Sequence, residues 1–346
     1  MKQYKSLDFA KFVCAILIII IHTAPFASYS TALTFAFRNV ITVIAVPFFF
    51  LTSGFLAFKK LDSLENGAKH GYIVKYLKRV AVMYLIWSAV YFIFVVIKWT
   101  RNGFSFALVL EYVKDFFFEG SYSTIWFLPA LFTAVLLVYL LHKKLSYRRI
   151  FIIACIIYIF TLAGSSYYGL VTKLQPIKAV YDVYYSFFDS IKNGVCFGLI
   201  FVSMGAMVSE KEEAFVETKP AKAFIPVVIS AILLAVEEFC VAYFKWNNKG
   251  VDTVIMLIPF TYFFVRFLIV WNLKISNNIC VAMRKYSILM FLTQRIPISI
   301  FDLWLSDTVI VTNSLLYFTF VFISTMLISF AIIKASKKIE WLKYAY

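Results

Sequence analysis

The sequence predicts an all-α polytopic membrane helix bundle, and three observations lead to this prediction. Of its 346 residues, 62% are hydrophobic and only 15% are charged, whereas a soluble domain lies nearer half apolar and roughly a quarter charged. Apolar runs of about 20 residues, the length of a membrane-spanning helix, recur from end to end. Lys and Arg concentrate in the short loops between these runs, where they set the orientation of a membrane protein.

Ten spans are predicted, so the chain is a single transmembrane domain over residues 1–346. Proline falls within or beside several of them, which a membrane bundle tolerates where neighbouring helices satisfy the carbonyl that proline frees. The spans cover about 8–29, 38–58, 77–98, 125–142, 149–166, 190–209, 223–244, 251–271, 286–303 and 308–333.

The distribution of basic residues places both termini in the cytoplasm. With the N-terminus inside, 22 of the 34 Lys and Arg residues lie on the cytoplasmic side and eight lie on the other. This asymmetry is typical of a multi-pass protein of the cell membrane. It also excludes nucleic acid as the partner of the net charge of +16, because the charge belongs to loops that border the bilayer.

The cysteines predict that no metal is bound, and the first span is predicted not to be a signal peptide. The five cysteines have no metal-ligand spacing and are predicted to be small buried hydrophobes, so no metal is expected. The first apolar run has no small-residue cleavage site, which predicts a retained span rather than a signal peptide.

Lys11 and His22 are predicted to share one face of the first span, and His22 is the only histidine within an apolar run. Eleven residues of helix bring His22 back to roughly 20° from Lys11 and about 16 Å deeper. An ionisable group inside a membrane indicates a functional site by default. The structural alternative is that Lys11 extends to lipid headgroups and that His22 hydrogen-bonds a neighbouring helix.

Two further groups of residues allow a structural and a functional interpretation. Ser53-Gly54 in the second span either lets helices approach closely or opens a tunnel for a narrow ligand. Lys75, Lys78 and Arg79 open the third span, with Lys75 and Arg79 at i,i+4 on one face. Taken alone, this basic cluster favours an anchor to anionic lipid; the alternative is a cradle for phosphate.

Charged residues also occur inside apolar runs, and aromatic residues are concentrated in two of the outer segments. Arg266 lies in an apolar run, as does Arg295, and either structural ion pairs or a polar cavity would account for them. The candidate counter-charges are Asp189, Glu237 and Glu238. The outer segments 99–124 and 167–189 are rich in Tyr and Phe, which predicts an interfacial belt or a platform for a sugar-like acceptor.

Taken together, these motifs resemble the acyltransferase-3 family of membrane acyltransferases. Lys11 and His22, with ten residues between them, are similar to an arginine, ten residues, histidine signature in that family's first span, with Lys11 in the arginine's place. VPFFFLTSGFL in the second span, the basic start of the third and WFLP at 126–129 resemble family patterns at the same places. The likeness covers the whole chain.

Within that family the likeness is closest to the membrane domains of vancomycin-resistance serine racemases. It rests on IWFLPAL (125–131), GSSYYGL (164–170) and IKNGVCFGLIFVSMG (191–205). Those domains are associated with serine supply, and the 346 residues leave no room for a soluble racemase domain. The chain departs from many members at Gln294, where they have a histidine.

The resemblance implies an integral membrane O-acyltransferase. The donor would be cytoplasmic acyl-CoA, expected to carry acetyl, and the acceptor a hydroxyl of a cell-surface glycan or a lipid-linked precursor; no tightly bound cofactor is expected. His22 would act as base or nucleophile, assisted by Lys11. The donor would be held by Lys75, Lys78, Arg79, Ser53 and Gly54. The acceptor and the developing oxyanion would be met by Trp126, Gln294 and Arg295.

A second hypothesis is a transporter of a small polar solute such as serine. It requires a polar site near the middle of the membrane. His22, Gln294 and Arg295, with Glu237 or Glu238, are the residues from which such a site would be built.

Overall fold

The computed structural model describes residues 4–250, 252–271, 273–306 and 308–346, and every regular element among them is helical. The predicted fold class, an all-α polytopic membrane helix bundle, is confirmed. Lys2 and the first residue of the eighth predicted span, Val251, lie outside the described residues.

The helices are numbered here in chain order. The first nine are α1 (Lys5–Thr23), α2 (Thr31–Phe35), α3 (Ala45–Asp62), α4 (Asn66–Asn102), α5 (Phe106–Phe118), α6 (Phe127–His142), α7 (Tyr147–Gly164), α8 (Tyr168–Val171) and α9 (Gln175–Phe187). The others are α10 (Leu199–Glu210), α11 (Glu212–Val216), α12 (Pro220–Tyr243), α13 (Leu257–Val270), α14 (Asn277–Thr293), α15 (Arg295–Trp304), α16 (Val309–Thr312) and α17 (Ser314–Ala335).

Nine of the ten predicted spans coincide with an apolar helical segment. Among the described residues, six segments are long and apolar enough to cross a membrane: α1, Thr31–Asp62, α4, α7, α12 and α17. Three more are apolar but shorter: α6, Gly194–Glu210 and α13. The ninth predicted span, 286–303, is instead two helices, α14 and α15, which meet at Gln294.

The second span starts irregularly, as its proline predicts. A π-helical turn (Ala36–Ile41) and a 3-10 turn (Thr42–Ile44) come directly before α3, which carries Pro47 as its third residue. A proline has no N–H, and its ring clashes with the carbonyl four residues earlier, here that of Val43. The irregular backbone therefore lies on the N-terminal side of Pro47.

The chain divides into two compact units. Unit 1 comprises residues 1–45, 79–129 and 274–346, and unit 2 comprises 46–78 and 130–273. The core of unit 1 is built on α1, α14 and α17. The α1 and α14 helices begin at the same end, because the Lys5 ammonium donates to the Ile275 carbonyl at 2.6 Å. The α17 helix runs the opposite way, since Ser314 at its start donates to the Pro25 carbonyl at 2.8 Å, just past the end of α1.

A 3-10 turn at Glu340–Ala345 closes unit 1 against α4. The Trp87 indole donates to the Ala345 carbonyl at 2.9 Å, and the Arg79 guanidinium donates to the Tyr346 carbonyl at 3.0 Å. These bonds hold the last residues of the chain beside the basic start of the third predicted span.

In unit 2, α3 and α10 cross at two glycines. A Cβ placed on Gly54 would meet the Val202 carbonyl oxygen at 2.4 Å, and one placed on Gly205 would meet the Leu51 carbonyl oxygen at 2.2 Å. Only residues without a side chain allow backbones to approach so closely. The space beside Gly54 is therefore filled by α10, as the close-approach interpretation of Ser53-Gly54 requires, and not by a tunnel.

The intramembrane acid Glu237 does not pair with Arg266. Its carboxylate accepts from the backbone N–H groups of Ile255 and Met256, both at 2.7 Å, just before the start of α13. A carboxylate at that position is stabilised by the helix dipole. The Arg266 guanidinium instead lies 5.0 Å from the Phe215 ring centroid, so Glu237, one of the three candidate counter-charges, is not the partner of Arg266.

The glycine crossing can be tested by adding a methyl group. Gly205→Ala must push the Leu51 backbone aside, and overpacking of this kind costs about 1–3 kcal/mol. We expect a lower melting temperature in detergent. Gly71→Ala is the matched control, because nothing lies within 4 Å of its Cβ position and alanine favours a helix over glycine by about 0.5–1 kcal/mol. A melting temperature of Gly205→Ala at or above that of the wild type would contradict the packing described.

Candidate functional site

The first helix is tied to α14 by a buried carboxylate. Asp8, which is 5% exposed, accepts from Arg284 through both oxygens, at 3.1 Å from Nε and 2.7 Å from Nη2. The hydrogen bond to Asp8 raises the pKa of Arg284 above its ordinary value, so the arginine stays charged. Lys11 lies one turn further along α1, within the electrostatic field of both groups.

A basic cavity of about 440 Å³ lies at this end of unit 1. Among the described residues that line it, none has an acidic side chain and five have basic ones: Arg79, Arg284, Lys285, Lys337 and Lys343. Its apolar wall is formed by Val281, Ile288 and Ile333, and its polar wall includes Ser336 and Tyr346.

The five cations of the basic cavity differ in what already neutralises them. Arg284 is paired with Asp8, and Lys343 lies 3.5 Å from the exposed carboxylate of Glu340. Within the described part of the chain, neither Lys285 nor Lys337 forms an ion pair. Since uncompensated like charges repel one another, the basic cavity favours an anionic ligand.

The structure divides the predicted basic cluster. Arg79 lines the basic cavity, whereas Lys75 and Lys78 are exposed on the part of α4 that belongs to unit 2. The other four cations of the cavity are not among the site residues that the sequence predicts. The sequence had placed all of them on the predicted cytoplasmic side, which was the signal that could have found them.

His22 lies in the last turn of α1, is partly buried, and shares this unbroken helix with Lys11. The helix ends at the next residue, because Ala24 adopts a left-handed conformation with φ of 44°. Helical rise places His22 about 21 Å beyond Asp8, and Gln294 about 15 Å beyond Arg284. Both polar side chains therefore lie toward the end of unit 1 that is remote from the basic cavity.

The junction of α14 and α15 leaves polar groups inside the bundle. Pro297 lies in the first turn of α15, where a proline is tolerated. If α14 continued through this point, the Pro297 ring would clash with the Thr293 carbonyl. Gln294 is fully buried and donates to the Phe291 carbonyl at 3.2 Å, while its Oε1 has no hydrogen-bond partner among the described residues. The Leu292 carbonyl, one residue before that of Thr293, accepts from the Tyr91 hydroxyl.

The next residue, Arg295, faces a second cavity, which we call the mixed-charge pocket. Its volume is about 280 Å³, and it is lined by Val95, Lys98, Trp99, Leu108, Glu111, Tyr112, Asp115, Ser121, Tyr122, Ser123 and Arg295. The buried Nε of Arg295 has no acceptor among the described residues. Arg79, which lines the basic cavity, and Lys98, which lines the mixed-charge pocket, both lie on α4. Helical rise separates these two residues by about 28 Å.

Tyr122 forms the floor of the mixed-charge pocket. Its ring stacks on Tyr91 at a centroid distance of 4.7 Å, and its hydroxyl hydrogen-bonds Ser299 at 2.7 Å. The predicted outer segment 99–124 thus contributes a held aromatic face, as the platform interpretation requires. The same segment also exposes Phe117 and Phe118, as the belt interpretation requires.

Two other predicted site residues, Trp126 and Ser53, lie beside glycines. Trp126 lies against Gly120, whose φ is +96° and whose Cβ would meet the Trp126 Cα at 2.5 Å. Trp126 therefore closes the loop that carries Tyr122. Ser53 is partly buried on α3 beside Gly54, and both belong to unit 2.

Comparison with known proteins identifies the relatives of this chain. An acyltransferase domain matches residues 4–334. Two amino-acid racemases of Enterococcus faecalis are similar. One is 32% identical over 62% of this chain and 29% of its own length, the other 22% identical over 97% of this chain and 47% of its own. A serine/alanine racemase of Enterococcus gallinarum is 26% identical over 75% of this chain and 36% of its own length.

The chain thus spans less than half the length of each of these relatives. No solved structure matches it.

The Asp8–Arg284 pair should show strong coupling. Arg284→Gln leaves a buried carboxylate without its partner, which costs about 1–3 kcal/mol. The double variant Asp8→Asn/Arg284→Gln removes the charge as well and should recover most of the loss in unfolding experiments in detergent. Lys285→Gln, the neighbouring control, should change stability by less than about 0.5 kcal/mol. Additive losses in the double variant would contradict this account.

Proposed function

This chain belongs to the acyltransferase-3 family of membrane acyltransferases, and we propose that it is an O-acyltransferase with a cytoplasmic acyl-CoA donor. The acyl group is acetyl, and the acceptor is a hydroxyl of a cell-surface glycan or a lipid-linked precursor. The observation that carries the proposal is the pairing of a basic cavity with a histidine further along the same unit. Family membership supports acyl transfer, and the basic cavity supports a phosphate-bearing donor.

The donor phosphates would occupy the basic cavity. Coenzyme A carries its negative charge on one end and its thioester on the end of a long flexible arm. Lys285 and Lys337 offer charges that no ion pair neutralises among the described residues, and Arg79 offers planar donors suited to phosphate. Lys75, Lys78 and Lys11 would add positive charge on the predicted cytoplasmic side.

The proposed chemical step uses His22 as a general base. The acceptor oxygen attacks the thioester carbonyl while the His22 imidazole removes the hydroxyl proton. The tetrahedral intermediate collapses with cleavage of the carbon–sulfur bond, and the departing thiolate takes that proton from His22. Gln294 and Arg295 are the proposed donors to the intermediate oxyanion. Trp126 would help to position the acceptor.

A transporter of a small polar solute is the second candidate, and the names of the relatives favour it. These are amino-acid racemases and a serine/alanine racemase, so a membrane portion that supplies serine would suit them. The polar groups at the α14–α15 junction would then form the solute site. Family membership favours the acyltransferase.

Reconstituted protein separates the two functions. Proteoliposomes loaded with acetyl-CoA, with a glycan acceptor outside, should acetylate the acceptor and release coenzyme A inside. His22→Ala should abolish both while the protein still folds and inserts; its melting temperature should fall only modestly, since loss of one buried polar partner costs about 1–3 kcal/mol. Wild-type transfer by His22→Ala would exclude it as the base. Uptake of labelled serine without release of coenzyme A would reject the acyltransferase in favour of the transporter.

The basic cavity should govern donor affinity. Lys285→Gln and Lys337→Gln should raise KM for acetyl-CoA several-fold with kcat nearly intact, because phosphate contacts are the same in the ground and transition states. S-acetylpantetheine, which lacks the nucleotide phosphates, should show no such effect. Lys144→Gln, an exposed lysine of unit 2 on the predicted cytoplasmic side, is the control. A fall in kcat at unchanged KM would contradict the assignment and leave lipid anchoring as the role of these lysines.

A further inference from the structure

We propose that the mixed-charge pocket of unit 1 binds a small zwitterion of amino-acid size, which presents a carboxylate to Lys98 and Arg295 and an ammonium group to Glu111 and Asp115. The inference concerns binding at this pocket, so it goes beyond acyl transfer and stands whether or not an acyl group is moved.

Both cations of the mixed-charge pocket lie close to the same aromatic ring. The Lys98 ammonium lies 5.4 Å and the Arg295 guanidinium carbon 5.8 Å from the Tyr122 ring centroid. Neither side chain forms an ion pair with a residue that the structure describes. Buried donors are nearly always satisfied, and the Nε of Arg295 is buried without an acceptor there. The missing acceptor is supplied by a ligand carboxylate.

The anionic side lies on α5. Glu111 and Asp115 are four residues apart and so share a face of the helix, and their carboxylate oxygens lie within 4.8 Å of each other. Asp115 is already close to Lys114, at 3.4 Å. Glu111 is exposed and has no ion pair in the described part of the chain, which makes it the principal carboxylate for a ligand ammonium group.

The walls between the two charged sides are aromatic. Trp99 and Tyr112 meet edge to face, with ring centroids 5.9 Å apart. Aromatic faces stabilise an ammonium group that has been withdrawn from water. Ser121 and Ser123 add hydroxyls to the lining, so a polar ligand finds hydrogen-bond partners besides the charges.

The combination of charges selects the ligand class. A simple anion would be repelled by Glu111 and Asp115, and a simple cation by Lys98 and Arg295, because like charges repel one another. A neutral sugar would leave Lys98, Arg295 and Glu111 without a counter-charge among the described residues. A molecule with one charge of each sign satisfies both sides, and a volume of about 280 Å³ suits a ligand the size of an amino acid.

Binding of L-serine and two singly charged analogues to the purified full chain in detergent tests the proposal by calorimetry. L-serine should bind more tightly than its methyl ester, which keeps only the ammonium group, and than N-acetyl-L-serine, which keeps only the carboxylate. Glu111→Gln should weaken L-serine and the ester about tenfold or more; N-acetyl-L-serine should bind equally or more tightly, because a repulsive charge has been removed. Lys98→Gln should weaken L-serine and N-acetyl-L-serine, and by the same reasoning it should not weaken the ester.

Glu65→Gln and Lys173→Gln are the matched controls, because both residues are exposed and lie in unit 2; neither should alter the binding of any of the three compounds. The proposal is overturned if L-serine binds no more tightly than both analogues, or if its affinity is indifferent to Glu111→Gln and Lys98→Gln. No acyl donor is present in this experiment, so failure of acyl transfer and failure of this site are distinguishable.

Discussion

Hydrogen bonding of the backbone in apolar surroundings is the constraint on which this structure depends. Where water is absent, each N–H and C=O group must be paired within the chain, and a helix does this locally. Every regular element among the described residues is accordingly a helix. Two interruptions lie beside prolines, before Pro47 and near Pro297, and there side chains also bond to the backbone: Thr42 donates to the Arg38 carbonyl at 3.1 Å, and Tyr91 donates to the Leu292 carbonyl.

The same constraint places polar side chains at a break between two helices. A continuous helix would leave Gln294 as an isolated amide in an apolar core. At the junction of α14 and α15 the next residue, Arg295, lies over the Tyr122 ring, which stacks on Tyr91. Groups whose hydrogen-bonding capacity is not met within the protein are available to a ligand. An irregular segment of backbone is therefore the natural place for a binding site within a membrane bundle.

Unit 1 also separates its charges along its length. At one end the cations of the basic cavity face no acid among its described lining residues, while the mixed-charge pocket at the other end holds charges of both signs. Asp8 lets Arg284 approach the other cations by neutralising it. The basic cavity therefore favours a strongly anionic molecule, and the mixed-charge pocket favours one that is nearly neutral overall, as a donor nucleotide and a small polar ligand would be.

By itself, the sequence determined the fold class, most of the spans and the position of Lys11 and His22 on one helix, because hydropathy and helical rise are local properties. Only the tertiary structure decided which distant residues meet: Arg79 with Lys337 in the basic cavity, and Gly54 with the backbone of α10. The physical reason is that helices apolar on nearly every face have no amphipathic stripe to identify the side that packs inward. Their partners follow from shape, from close approach at glycine and from a few buried charges, none of which a local pattern records.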